Sequence, residues 1–184
     1  MVEQALSKPD VAKNQLDTAI DLWFEGRDSV SVYTLAFASL SVLMNIYSHH
    51  AGDGFFDDLD VLMRSKKGTR TLATAANFFK HADNDPTAVI ENFQPHMAMT
   101  VIAIAIPVYR RLSGSFTPKM NAFAIWSAIT GTGDLGLEEV DGDPAWIADE
   151  KYIREAIKEG SRDGFYRWFI ENYDLFQEGT ALLR

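Results

Sequence analysis

Asn77 and His81 stand four residues apart in Ala76-Asn77-Phe78-Phe79-Lys80-His81, a spacing that puts both side chains on one face of a helix. An imidazole titrates at about 6.5 and so exchanges protons near neutral pH, and a neighbouring amide can fix its orientation. Lys80 lies beside the pair, and Arg70 falls eleven positions before His81, about three turns lower on the same side. Such a set can bind an anion or shuttle a proton. It can also do something plainer, because polar residues at a helix end commonly bond the last free carbonyls, and Asn77, His81 and Asp83 are placed to close one. Spacing alone leaves both open.

Other patterns carry less. Gly131-Thr132-Gly133-Asp134-Leu135-Gly136 has the glycine spacing of a dinucleotide-binding loop, but that chemistry needs a strand before it and a helix after it. Here a helical segment precedes and an acidic stretch follows, so an ordinary loop is expected. Glu138, Glu139, Asp141 and Asp143 do not have the spacing of a calcium-binding helix–loop–helix. His49 and His50 are adjacent and point about 100° apart on a helix, so they do not make a paired metal site, even with Asp53, Asp57 and Asp58 nearby. His96 has no evident partner. Cysteine is absent, which excludes thiol catalysis and Cys-ligated metal. Neither a metal nor a cofactor is expected.

Charge narrows the surface. The net charge is −9, which opposes whole-surface binding of a polyanion. Residues 61–120 differ: eight bases (Arg64, Lys66, Lys67, Arg70, Lys80, Arg110, Arg111, Lys119) meet three acids (Asp83, Asp85, Glu91), a net of +5. Any contact with a nucleotide, RNA or acidic protein partner is therefore expected through this segment.

The elements that must position these residues are helical. From Lys8 to Gly26, Ala12, Leu16, Ala19, Ile20 and Trp23 recur at helical spacing while Lys13, Asp17 and Asp21 fall elsewhere. Asp28 or Ser29 can cap a second helix reaching about His50, with Val30, Tyr33, Phe37, Leu40, Met44 and Tyr47 on one stripe and Val32, Leu35, Leu43 and Ile46 beside it. A third runs from Thr69 to about Ala82, with Leu72, Ala75, Ala76 and Phe79 inward. Met97–Tyr109 is the most apolar stretch, yet too short for the roughly 20 residues that span a bilayer, so it reads as a core helix kinked by Pro107. Thr117-Pro118 caps a helix over 119–130, and two more are expected at 145–159 and 163–176. No sustained period-two alternation occurs. The expected fold is all-α: an antiparallel helical bundle of six to seven helices in one domain over 1–184, with no membrane partner. Residues 1–10 lack a basic stretch followed by an apolar one, so a cytoplasmic location is expected.

Three features together resemble a HEPN domain: the first helix with Lys13-Asn14-Gln15-Leu16 and Ala19, the long second helix from Ser29 to His50, and a later helix ending Asn77-x-x-x-His81. The resemblance covers residues 8 to about 115, leaving 116–184 as additional C-terminal helices. It implies a helical bundle that forms homodimers. Many members are metal-independent ribonucleases with an Arg-Asn-x-x-x-His motif, two such motifs meeting across the dimer; others bind nucleotides or partner proteins without catalysis. Asn77 and His81 match the motif, and Ala76 stands where its arginine would be. Alanine cannot stabilise developing phosphate charge. The expectation is a catalytically inactive binding or regulatory protein, with a stress- or defence-type ribonuclease using His81, or a purely structural interaction bundle, as the alternatives. The nearly all-apolar second helix, with Phe78 and Phe79, adds the expectation of apolar surface for a dimer.

Overall fold

A computed structural model of the chain describes residues 5–47, 68–81, 86–130, 157 and 160–174, with the backbone alone at 68–71. Six helices and no strand occur among the described residues: α1 (Lys8–Phe24), α2 (Ser29–Tyr47), α3 (Gly68–Lys80), α4 (His96–Ser113), α5 (Pro118–Thr130) and α6 (Arg162–Glu171). The all-α bundle expected from the sequence is the fold.

Local chemistry sets the helix ends. Ser7 and Asp10 form a reciprocal capping box at the start of α1, and Gly26, at φ 68°, lets the chain turn out of it. Asp28, not Ser29, caps α2, its carboxylate accepting from the N–H groups of Val30 (3.3 Å) and Ser31 (2.8 Å). Those bonds hold the Asp28 carboxyl below its ordinary value. α4 carries Pro107 and continues past it to Ser113, where Gly114 at φ 77° ends it. Thr117 caps α5 as its sequence implies, its hydroxyl accepting from the Met120 N–H (3.2 Å).

One contiguous core joins all six helices and the buried Ile157, so the apolar interior does not divide near residue 115. The predicted helix at 145–159 otherwise lies outside the described residues. α2 is central, between α1 and α4, but its buried face differs from the expected stripe. Val32, Tyr33, Ala36, Ser39, Leu40 and Leu43 point inward, whereas Val30 is exposed and Phe37, Met44 and Tyr47 are only partly covered. The face is turned by about one residue because α1 approaches over small side chains. Ala12 and Ala19 on α1 and Ala36 and Ser39 on α2 are buried, and the Ser39 hydroxyl donates to the Ala12 carbonyl (2.8 Å). A bulkier pair would hold the two backbones apart.

Among the described residues α2, rather than the 97–109 run, is the helix long and apolar enough to cross a membrane by length and composition: 19 residues at a mean hydropathy of 1.6. In this bundle its inner side packs against α1 and α4.

Ser39→Ala removes a buried hydroxyl together with its hydrogen bond while leaving the Ala12 carbonyl in its helix ladder. Chemical denaturation should show a loss of about 1 kcal/mol. Ser39→Leu should cost about 2 kcal/mol or more, because the added volume must force α1 and α2 apart.

Candidate functional site

The residues singled out from the sequence lie at the C-terminal end of α3. This helix turns Ala75 and Ala76 fully inward and Leu72 and Phe79 partly inward, leaving Asn77, Phe78, Lys80 and His81 exposed. His81 follows the last residue of α3 and extends its ladder by one bond, its N–H donating to the Asn77 carbonyl (3.0 Å). Asn77, Lys80 and His81 thus share one exposed helix end. Ala76, by contrast, is 1% exposed. The position that carries arginine in the motif faces the core here, so a guanidinium at 76 would be buried rather than presented beside His81.

An aromatic cluster underlies this end. Tyr33 of α2 stands edge-on to Phe79 (5.9 Å between centroids) and to Phe93 (5.5 Å), and its ring is parallel to that of Phe37 (6.1 Å). The Tyr33 hydroxyl donates to the Leu72 carbonyl (2.6 Å), and burial pushes the phenol up to about 12. The Lys80 ammonium sits 5.7 Å from the centre of the Phe37 ring, an attraction between cation and ring face. Phe78 keeps 36% of its surface exposed beside His81.

Two of the described bases of the middle third are engaged within the bundle. Lys119 pairs with Asp21, and the Arg110 guanidinium lies over Phe116 (4.8 Å). Arg70 is on the first turn of α3, where only the backbone path is described. Arg64, Lys66 and Lys67 lie outside the described residues, as do His49, His50, Asp53, Asp57, Asp58, the Gly131–Gly136 pattern and the acids at 138–143. His96 opens α4 and is exposed. No group of three or more His, Asp or Glu able to hold a metal ion occurs among the described residues.

A second polar cluster was not evident from spacing. Asp17 and Asp21, one turn apart on α1, face α5 and α6. Asp17 accepts from the Thr117 hydroxyl (2.6 Å), and Asp21 receives both the Lys119 ammonium and the Tyr166 hydroxyl. At the end of α1, Arg162 of α6 donates to the Phe24 carbonyl (3.4 Å) and covers the Trp23 ring (4.4 Å). Tyr166 stacks on Phe24 (4.3 Å, 7° between planes). These groups join helices, with Thr117 and Tyr166 buried and Asp17, Asp21, Lys119 and Arg162 partly exposed; their arrangement is that of a support.

Burial raises the Asp17 carboxyl above its ordinary value, against the lowering effects of Thr117, Lys13 and Lys119. Comparison of the chain with family models, with curated proteins and with solved structures finds no match.

The Asp17 shift has a sign. A carboxyl whose folded pKa is raised disfavours the fold above that pKa, and the penalty is relieved as pH falls through it. Asp17→Asn keeps an oxygen for Thr117 and removes the buried charge. The variant should be more stable than the wild type at pH 7, with the difference shrinking as pH approaches the ordinary value of 3.8. Denaturation across that range checks it; a variant less stable at every pH would contradict it.

Proposed function

We propose that this chain is a HEPN-like helical protein that binds an anionic ligand, the phosphate of a nucleotide or of RNA, at the exposed end of α3, and does so without cleaving RNA. One observation carries the reading. Asn77, Lys80 and His81 are presented together on an outer helix face, while the neighbouring position 76 is a buried alanine. Donors for an anion are present, and position 76, where the motif has its arginine, supplies no guanidinium to meet the charge that hydrolysis would develop. The protein works as a homodimer, a reading supported by the partly exposed Phe78 and Val30, and in solution, supported by the packing of α2 between α1 and α4.

Titration with inorganic pyrophosphate should give saturable binding. His81→Ala and Lys80→Ala should each weaken it by about tenfold, the equivalent of about 1.4 kcal/mol, with little change in Tm, since both side chains are exposed. Should His81→Ala instead lower the Tm and leave binding intact, the residue is a helix cap and the site reading fails. Purified protein should leave RNA uncut with or without divalent metal. Cleavage that vanishes in His81→Ala and in a variant of Arg64, Arg70, Arg110 or Arg111 would replace this reading with a ribonuclease. Light scattering at micromolar concentration should report a dimer.

A further inference from the structure

α3 has thirteen residues, a length at which an isolated helix is marginal in water. Its order therefore depends on what it docks against, and the ligand face occupies its last turn, the part of a helix most prone to fray. Tyr33 meets α3 at two places. The phenol hydroxyl bonds the Leu72 carbonyl and the ring abuts Phe79, so one side chain engages two residues whose backbone positions are seven apart, about 10 Å of helix rise. One grip alone would leave α3 free to slide or roll; two fix both. Phe93 closes on the same rings from the other side, 5.5 Å from Tyr33 and 5.2 Å from Phe79. One turn further along α2, Phe37 lies parallel to Tyr33 and carries the Lys80 ammonium on its face.

We infer that Tyr33 is a positioning residue for the α3 ligand face: without touching the ligand, it holds the last turn of α3 helical and so keeps Asn77, Lys80 and His81 arranged before an anion arrives. The inference rests on the reading that this face binds an anion. Tyr33 itself is fully buried, 0% exposed, so it acts only through α3. Its contribution is preorganisation, which appears as affinity because the ligand no longer has to order the turn.

Tyr33→Phe removes the hydroxyl and keeps the ring contacts, and Phe37→Leu removes the platform under Lys80. Both should weaken pyrophosphate binding by about three- to tenfold. In Tyr33→Phe, hydrogen exchange should speed up at the α3 amides from 72 to 80 and stay unchanged in α1. Ser39→Ala, which weakens the fold at a contact remote from α3, should bind as the wild type does and so separates positioning from general stability. If the wild type binds, Lys80→Ala weakens binding about tenfold and Tyr33→Phe binds normally, the positioning role is overturned and the anion reading stands. Failure of the wild type to bind pyrophosphate overturns both.

Discussion

Two carboxylates on the flank of a helix whose inner face is fully buried constrain this fold. α1 buries Ala12, Leu16, Ala19, Ile20 and Phe24 against the bundle, and the flank carrying Asp17 and Asp21 cannot then remain fully in water. A desolvated carboxylate without partners is costly, so whatever covers that flank must bring donors. α5 brings Thr117 and Lys119, and α6 brings Tyr166. The polar requirement thereby selects which elements lie where. Thr117 illustrates the economy of this: one hydroxyl accepts from Met120 to start α5 and donates to Asp17 to dock it. Aromatic contacts then fill in around the polar pins, with Trp23, Phe24, Phe123, Trp126, Phe165 and Tyr166 packed mostly edge to face or tilted.

The opposite side of the molecule is built differently. α2 has no charged residue between Ser29 and Tyr47, and α3 docks on it through Tyr33, Phe37, Phe79 and Phe93. Rings meeting edge-on resist rotation, but they do not fix sliding along a helix axis as a hydrogen bond does. The bond from Tyr33 to the Leu72 carbonyl supplies that register between segments 39 positions apart in the chain.

Helix ends and fold class were legible because their causes are local. Gly26, Asp28 and Thr117-Pro118 act within a turn of themselves, and a reader of the sequence has all the atoms involved, whereas the Ser7–Asp10 capping box and the stop at Gly114 were not read from the sequence. The face of α2 was not legible to the same precision. Its inward side is centred on Ala36 and Ser39, residues that score poorly as core on hydropathy, and what makes them core is the closeness of α1. The alanines at 12, 19 and 36 were the available signal, since small residues in step on two neighbouring helices permit close approach. The roles of Asp17 and Asp21 were hidden because their partners are about 100 or more positions away in the chain. The pairing of Asn77 with His81 was legible as shared placement on a helix end. That position 76 faces inward follows from its step of about 100° away from Asn77, toward Ala75 and Phe79.

The distribution of cations decides what kind of ligand the α3 face suits. A count of +5 over residues 61–120 suggests a broad basic surface; among the described residues, Lys119 is bound to Asp21 and Arg110 is laid on Phe116. Around such a site the molecule as a whole carries −9, which repels a long polyanion at a distance. In physiological salt that repulsion is screened beyond about 8 Å, so the proposed small anion at the end of α3 would respond to nearby groups such as Lys80 more than to the net charge. For the proposed anion site, the net charge therefore favours a compact ligand held by short-range contacts over a long strand drawn in by field, and the order of the last turn of α3 would then matter more than the total charge of the segment that contains it.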